Sequence, residues 1–282
     1  MFLAVTVSVT SLNCLQRKRS KDELAKVIAV ANQKGGVGKT TTSVNLAASL
    51  RATKRRTLLI DLDPQGNATM GSGINKGDLS LSVYEVLMGE AVLADALLTT
   101  AAGVDILPAN GDLTAAEVAL LQRDGSEGRL KSLIADVADK YDFIVIDCPP
   151  SLNMLTVNAL VAAHGVIIPM QCEYYALEGL SALVDTIQAI ASALNPGLKI
   201  EGILRTMYDP RSKLTLEVSN QLFTHFGDKV YRTVVPRNIR LAEAPSYGMP
   251  VLQYDRQSRG AVAYLALAGE MLRRQEQAAL AQ

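Results

Sequence analysis

Short apolar runs alternate along this chain with longer stretches in which apolar and polar residues are mixed. A short apolar run predicts a buried strand, and a longer periodic stretch predicts an amphipathic helix. This pattern predicts strands at residues 27–31, 57–61, 104–107, 143–147, 166–169, 200–207 and 230–235. It predicts helices at residues 40–50, 113–121, 130–139, 151–163, 177–194, 214–226 and 261–277. Strands and helices therefore alternate over nearly the whole chain.

This alternation indicates an α/β fold, in which a mainly parallel, twisted sheet is covered by helices on both faces. The 282 residues show no internal repeat and no linker rich in proline and serine, so we expect a single domain at residues 26–275. In a sheet of this kind, ligands bind at the carboxyl ends of the strands. The chemistry should therefore be sought where the predicted strands end.

The two ends of the chain are expected to lie outside that domain. Residues 1–25 are predicted to be a disordered N-terminal extension, and residues 276–282 a C-terminal tail. The apolar stretch at residues 2–12 is too short to span a bilayer, and its basic residues follow it, whereas a secretory signal begins with them. An upstream start codon is an alternative explanation of the extension, and a weak membrane or DNA tether is another.

A glycine-rich stretch, Lys-Gly-Gly-Val-Gly-Lys-Thr-Thr at residues 34–41, follows the first predicted strand. A strand, a glycine-rich turn and a helix that begins with threonine form a cradle for phosphate groups. Lys39 brings a positive charge to the β- and γ-phosphates, the Thr40 hydroxyl is a ligand for Mg²⁺, and the helix N-terminus attracts the same oxygens. The residues predicted to bind the nucleoside triphosphate are Lys34, Gly35, Gly36, Val37, Gly38, Lys39, Thr40 and Thr41.

The loop departs from the common phosphate-loop pattern, because Gln33 replaces the first glycine and a second lysine, Lys34, follows it. Lys39 already serves the phosphates, so the second lysine needs its own explanation. One alternative is a solvated loop charge. We favour a role in trans, in which Lys34 reaches the phosphates bound by another subunit. In this feature the chain resembles the deviant Walker A class of ATPases, in which the nucleotide forms part of a dimer interface.

Three aspartates lie at or just beyond the ends of two predicted strands, Asp61 and Asp63 after one and Asp147 after the other. A carboxylate that follows a buried strand and faces a phosphate loop suits Mg²⁺ and an attacking water. Asp147 has the Walker B position and is predicted to hold Mg²⁺ together with Thr40. Asp63 is predicted to position the attacking water, and Asp61 to be structural. The alternative for any one of them is a turn former or a helix cap.

The base is predicted to be adenine. GTPases of this fold read guanine with an Asn/Thr-Lys-x-Asp motif, and the nearest stretch, residues 206–209, has Met207 in place of the lysine. Pro236 and Asn238 follow the last predicted strand and are expected to lie near the base, where the Asn238 amide is suited to reading its edge. The predicted contacts to the nucleoside are therefore Met207, Pro236 and Asn238.

The composition limits the remaining functions. With 28 basic and 28 acidic side chains, no overall field draws the chain to nucleic acid or to a membrane, so any DNA contact must come from a local patch. Cys14, Cys148 and Cys172 lack metal-ligand spacing and indicate reduced cytosolic thiols. The two histidines are isolated, which argues against a histidine-based metal site or catalytic triad.

Five motifs occur together in this chain, at residues 31–41, 61–67, 147–151, 173–179 and 236–246. In content and order they resemble the ParA/Soj chromosome-partitioning ATPases, and the resemblance extends from about residue 27 to residue 272. Cys148 stands where that family often has alanine, which is a small-for-small change.

The resemblance implies a cycle of Mg²⁺-dependent ATP hydrolysis. ATP would drive a sandwich homodimer in which Lys34 touches the partner's nucleotide, while Asp63 serves hydrolysis and Lys39 and Thr40 bind the nucleotide and its Mg²⁺. The dimer would bind double-stranded DNA without sequence preference. A ParB-type centromere-binding protein would stimulate hydrolysis and release the dimer, so that chromosomes or plasmids are partitioned. The expected location is cytoplasmic and nucleoid-associated.

The expected DNA-binding residues are Arg211, Arg237 and Arg240, with Lys213 and Arg256 as further candidates. Arg211 and Arg240 resemble family positions linked to DNA. Each residue alone is equally consistent with an ordinary surface charge, and Arg237 is also placed to serve the nucleotide.

Three rival functions remain. A MinD-type membrane-associated positioning ATPase needs a basic amphipathic C-terminal helix. Residues 271–280 carry two arginines but no broad apolar stripe, so no membrane partner is expected. An iron–sulfur reductase of the nitrogenase type needs two well-placed cysteines, and the surroundings of Cys148 and Cys172 lack its glycines. A scaffold that binds ATP without hydrolysing it is opposed by Asp63.

Overall fold

The computed structural model describes residues 25–174 and 176–280. Its strands, in chain order, are β1 (Lys26–Val30), β2 (Thr57–Asp61), β3 (Leu98–Thr99), β4 (Asp105–Leu107), β5 (Phe143–Asp147), β6 (Gly165–Gln171), β7 (Lys199–Tyr208) and β8 (Val230–Pro236). They form one eight-stranded sheet with the order β3-β4-β2-β5-β1-β6-β7-β8. The short β3 runs antiparallel to β4, and the neighbouring strands in the rest of the sheet are parallel.

The helices cover the sheet on both faces. They are α1 (Lys39–Ala52), α2 (Asn67–Gly71), α3 (Val83–Met88), α4 (Leu113–Leu121), α5 (Arg129–Ala135), α6 (Met154–Ala162), α7 (Ala176–Ala193), α8 (Lys213–Phe226), α9 (Ile239–Glu243), α10 (Val251–Tyr254) and α11 (Arg259–Leu280). Successive side chains of a strand point to opposite faces. Thus Val27 and Ala29 of β1 join one apolar core, under α3 to α8, whereas Ile28 and Val30 join the other, under α1, α10 and α11. The predicted fold class is confirmed.

The register of the central strands brings the predicted chemistry to one edge of the sheet. The last residue of β5, Asp147, pairs with Val30 at the end of β1 and with Asp61 at the end of β2. Parallel strands share the direction in which they end. The loop that follows β1 and the aspartates that follow β2 and β5 therefore meet at the carboxyl edge.

Several element boundaries differ from the prediction. The helix predicted from residue 151 begins at Met154, because Asn153 is its N-cap and accepts a hydrogen bond from Thr156 N–H. The helix predicted at 130–139 ends at Ala135 and is followed by a separate 3₁₀ turn. The short elements α2, α3, α9, α10 and β3 were absent from the prediction, since they are too short to show a period.

The ends of the chain can be compared only in part. Residues 1–24 of the predicted extension lie outside the described residues, but Ala25 is buried and its N–H donates to Ala138 O at 3.1 Å. Helix α11 continues through residue 276, where the tail was predicted to begin, and ends at Leu280. Its last four described residues are exposed, so the described part of the predicted tail is the solvated end of a helix.

Candidate active site

The phosphate loop is shaped by two glycines in the left-handed conformation. Gly36 has φ of 72° and Gly38 has φ of 88°, a region that residues with a Cβ adopt at a cost. Gly38 is also the N-cap residue of α1, so the loop passes directly into the helix. The unpaired N–H groups at this helix N-terminus make it a site for an anion. The arrangement is the one predicted from the sequence.

Lys39 is a charged residue held almost out of solvent. It is only 7% exposed, and its Nζ donates to the backbone O of Lys34 at 3.1 Å. Burial lowers its pKa, while the negative charges of Asp147 and Asp63 act in the opposite direction. An ammonium group that has lost most of its hydration gains strongly from an anion, so Lys39 is prepared for a phosphate.

Lys34 lies in a different environment from Lys39. Its side chain is 48% exposed, and its Nζ forms an ion pair with Glu173 Oε2 at 2.6 Å. Its backbone N–H is fixed by Asn32 Oδ1 at 2.9 Å. An ion pair between two half-exposed side chains contributes about 0–1 kcal/mol, so little holds Lys34 to this partner.

Asp147 is the carboxylate that best fits a magnesium site. It is fully buried, Ser43 Oγ donates to its Oδ1 at 2.7 Å, and its Oδ2 has no partner among the described residues. Burial raises its pKa to about 8, the nearby charge of Asp61 adds to this effect, and the hydroxyls of Ser43 and Thr40 oppose it. An orphaned buried oxygen beside a threonine hydroxyl suits a hard cation.

No dedicated cage of protein ligands accompanies Asp147. The described residues contain no group of three or more His, Cys, Asp or Glu side chains placed to hold a metal. Mg²⁺ that arrives with a nucleotide takes most of its ligands from phosphates and water and needs few from protein. The donor set of Asp147 and Thr40 therefore fits such an ion.

The two aspartates after β2 have different surroundings. Asp61 is fully buried and accepts hydrogen bonds from Asp63 N–H at 3.1 Å and from the N–H and hydroxyl of Thr69, both at 2.8 Å. Burial raises the pKa of Asp61, and these hydrogen bonds oppose that effect. Asp63 is 9% exposed, and within the described part of the chain its carboxylate accepts one hydrogen bond, from Gln65 N–H to Oδ1 at 3.0 Å. Asp61 thus holds a turn together, whereas Asp63 keeps an oxygen available.

The residues predicted to contact the base surround one cavity of about 200 Å³. Met207, Pro236 and Asn238 line it, together with Gly38 of the phosphate loop. The Oδ1 atom of Asn238 is buried and has no hydrogen-bond partner among the described residues. Such an acceptor is costly unless a ligand satisfies it. The cavity therefore presents an unsatisfied hydrogen-bond acceptor directly beside the phosphate loop.

Comparison with known proteins agrees with this geometry. A family model described as an AAA domain matches residues 25–200. The sporulation initiation inhibitor protein Soj of Bacillus subtilis is 52% identical over 88% of this chain and 98% of its own length. The chromosome partitioning protein ParA of Myxococcus xanthus is 49% identical over 89% of each chain. The chain belongs to the ParA/Soj family of chromosome-partitioning ATPases. The resemblance inferred from the motifs is confirmed.

Solved structures of proteins with other names share the fold of this ParA/Soj chain. The structure of cobyrinic acid a,c-diamide synthase from Mycobacterium smegmatis, with a bound ATP analog and magnesium, matches with a TM-score of 0.80 and 40% identity. The match covers 90% of this chain and 96% of that one. The cell division ATPase MinD of Pyrococcus furiosus matches with a TM-score of 0.73 and 27% identity, over 88% of this chain and 98% of that one.

The arginines predicted to bind DNA in this ParA/Soj chain are all exposed, but they differ in whether they form ion pairs with carboxylates. Arg211 forms two hydrogen bonds of 2.9 Å to the Asp209 carboxylate, which lowers the pKa of Asp209 to about 2. Arg240 pairs with two carboxylates, at 2.8 and 3.3 Å. Arg237 lines the base cavity and has no ion pair within the described part of the chain. The further candidates, Lys213 and Arg256, are exposed.

Sequence reasoning missed the side chains that hold the site in place. Ser43 fixes Asp147, and it lies four residues after Lys39 on α1, a helical spacing that could have indicated it. Thr206 Oγ1 donates to Val37 O at 2.8 Å and so ties the end of β7 to the phosphate loop. No local pattern reveals that contact, since the two residues are far apart in the ParA/Soj sequence. Among the residues that the structure describes, no helix has both the length and the apolar character of a membrane span.

Proposed function

We propose that this chain is a Mg²⁺-dependent ATPase that partitions chromosomes or plasmids as an ATP-bound sandwich dimer. The dimer binds double-stranded DNA without sequence preference, in the cytoplasm and on the nucleoid. A ParB-type centromere-binding protein stimulates hydrolysis and so releases the dimer from DNA. Family membership supports the partitioning role, and the two lysines of the phosphate loop support the dimer.

The contrast between these lysines carries the proposal. Lys39 is buried near the charge of Asp147, whereas the Lys34 side chain is half exposed and forms an ion pair with Glu173. A lysine used for its own subunit's phosphates would gain from burial beside them, as Lys39 does. Lys34 instead stands at the rim of the loop, where a second subunit can approach. Releasing it from Glu173 costs at most about 1 kcal/mol, which one charge-assisted contact to a phosphate offsets.

In the proposed reaction the loop amides and Lys39 hold the phosphates, and Thr40 and Asp147 hold Mg²⁺. The metal supplies charge neutralisation of the phosphate oxygens in the transition state. Ser43 keeps the Asp147 carboxylate oriented toward the loop, through its hydrogen bond of 2.7 Å. Phosphoryl transfer depends on such positioning more than on covalent catalysis, so the rigid support of Asp147 is part of the mechanism.

Asp63 is the residue that we assign to the attacking water. Its Oδ1 atom accepts a hydrogen bond from Gln65 N–H, and its Oδ2 atom accepts none from the backbone of residues 25–174 and 176–280. The carboxylate is close enough to Lys39 and Asp147 to influence the pKa of both. A water held by the free oxygen would therefore lie near the phosphate site, as in-line attack requires.

Adenine is the proposed base, bound in the cavity of about 200 Å³ beside Gly38. The unsatisfied Asn238 Oδ1 is an acceptor for the exocyclic amino group of adenine, where guanine carries an oxygen. Met207 and Pro236 supply apolar contact. DNA contacts are proposed for Arg211, Arg237 and Arg240, with Arg237 also placed to touch the nucleotide.

Phosphate release in the presence of Mg²⁺, ATP, DNA and the ParB-type partner tests the assignment. Lys34→Ala and Asp63→Ala should each abolish stimulated release, whereas the exposed control Lys140→Ala should leave it unchanged. Both variants should still bind a fluorescent ATP analogue, because Lys39 and the loop amides remain. Wild-type turnover by Lys34→Ala would disprove its role in trans, and wild-type turnover by Asp63→Ala would require another residue for the water.

A further inference from the structure

The end of strand β7 contacts the phosphate loop through one buried hydroxyl group. Thr206 Oγ1 donates to the backbone O of Val37 at 2.8 Å, and Thr206 is only 3% exposed. Its methyl group lies beside the next residue of the loop, since a Cβ at Gly38 would be 3.8 Å from Thr206 Cγ2. Because little water reaches this contact, the hydroxyl determines the direction of the Val37 carbonyl group.

The direction of this carbonyl group also determines the direction of the Gly38 N–H. The two groups belong to one planar trans peptide, in which the C=O and N–H bonds point to opposite sides. The Val37 oxygen points to β7, so the Gly38 N–H points away from β7. Among the residues that the structure describes, none accepts a hydrogen bond from this N–H. It is therefore available to a phosphate, as the amides of glycine-rich loops are.

Glycine makes this part of the loop easy to rearrange. The φ of Gly38 is 88°, in the left-handed region, but glycine adopts negative φ about as readily. Gly38 therefore offers little steric resistance to a rotation of the Val37–Gly38 peptide. Such a rotation would turn the Val37 oxygen toward the phosphates, which would repel it. A donor that holds this oxygen thus favours the loop conformation that binds an anion.

The Thr206 donor is itself held in a rigid part of the sheet. Thr206 pairs with Gln171 of β6. The preceding residue, Arg205, is 5% exposed and donates to Ser219 Oγ of α8 at 2.7 Å. Arg205 also donates to two backbone carbonyl groups of β8, at 2.9 and 3.2 Å. The hydroxyl therefore keeps its position when the loop moves.

We propose that Thr206 is a positioning residue for nucleotide binding, which keeps the Gly38 N–H directed at the phosphates. The inference rests on the proposed binding of ATP by this loop. Thr206 acts on the phosphates only through the Val37–Gly38 peptide. It also lines the base cavity beside the loop, so a variant must be tested for its effect on the base as well as on the phosphates.

Competition with a fluorescent ATP analogue in the presence of Mg²⁺ separates these two effects. Thr206→Val keeps the shape of the side chain and removes the donor, so the affinity for ATP should fall about tenfold. Adenosine, which carries no phosphate, should bind to Thr206→Val within about twofold of wild type, since its apolar contacts remain. Thr206→Ser restores the hydroxyl and should bring the affinity for ATP to within about threefold of wild type.

The Gly38 amide can also be observed directly. Val37–Gly38 is the only Val-Gly pair in the sequence, so ¹³C in the valine carbonyl groups and ¹⁵N in the glycines give a single NMR cross-peak for this peptide. Adding ADP and Mg²⁺ should shift this peak in wild type and in Thr206→Ser. In Thr206→Val, at saturating ADP, the shift should be smaller, because the N–H is no longer held toward the phosphates.

An unchanged affinity of Thr206→Val for ATP, or equal losses of affinity for ATP and adenosine, would overturn the proposal and leave the proposed function intact. A Gly38 peak that shifts equally in all three proteins would do the same. If wild type bound neither ATP nor ADP, the proposed function would fail together with this inference.

Discussion

The buried Asp147 carboxylate should destabilise the protein until a cation binds it. The perturbation that isolates this effect is Asp147→Asn, which keeps the shape of the side chain and removes the charge. Ser43 Oγ can still donate to the remaining oxygen. The effect is expected in the nucleotide-free and Mg²⁺-free protein, in which the Oδ2 atom has no partner among the described residues.

The size of the effect follows from the pKa of Asp147, which burial raises from 3.8 to about 8. Between these two pH values, the Asp147 carboxyl of the folded protein holds a proton that the same group in the unfolded chain has released. This contribution to stability is complete below about pH 4 and is lost as the pH rises through about 8. A rise of about four pKa units, at about 1.36 kcal/mol each, sets the upper limit of the change in the free energy of unfolding. Because Asp61 is coupled to Asp147, the change is smaller, and we expect it to be on the order of 2–4 kcal/mol.

Thermal unfolding of the apo protein at about pH 5 and about pH 8.5 measures this effect. At the higher pH, Asp147→Asn should melt roughly 5–15 °C above wild type, and at the lower pH the difference should shrink. Adding Mg²⁺ and ATP should stabilise wild type more than the variant. The exposed control Asp139→Asn should show neither change. A variant that melts below wild type at the higher pH, or a difference in melting temperature that does not depend on pH, would show that the Asp147 charge does not destabilise the fold.

Three further predictions concern single side chains. Gly202→Ala would press its new Cβ into the Tyr231 ring, so the free energy of unfolding measured in urea should fall by about 1–3 kcal/mol; an unchanged value would contradict this packing. Asn238→Ala should narrow the preference for ATP over GTP, measured by competition binding, by roughly tenfold, and an unchanged ratio would remove Asn238 from base selection. Met207 has φ of 48°, so Met207→Gly should raise the free energy of unfolding by about 1 kcal/mol, and a loss of stability would show that its side chain matters more than this strain.

The central strands could be predicted because each is a short apolar run buried on both faces. β1, β2 and β5 are of this kind, and the prediction located each to within a residue. Short elements such as α3 could not be predicted, since six residues give too little of a helical period. The start of α6 was misplaced because Ser151 is as good an N-cap type as Asn153, and only the structure shows which one is used.

The candidate site was predictable where it consists of consecutive residues. The phosphate loop and the aspartates that end two strands are visible in the sequence. The contacts that support them are not, because Thr206 reaches Val37 across the sheet and Glu173 reaches Lys34 from another loop. The pairing of Arg211 with Asp209 was also missed, although the two residues are close in sequence. Positive charge alone did not show that this arginine forms an ion pair with a neighbouring carboxylate.

The dimer joined by Lys34 is tested by the molecular mass of Asp63→Ala at saturating Mg²⁺ and ATP, measured by sedimentation or light scattering. We expect a dimer of twice the 30.2 kDa chain, which persists because the ATP is not hydrolysed. Combining Lys34→Ala with Asp63→Ala should return the protein to a monomer. A monomeric Asp63→Ala, or a dimer that persists without Lys34, would contradict the claim that Lys34 joins two subunits through their nucleotides.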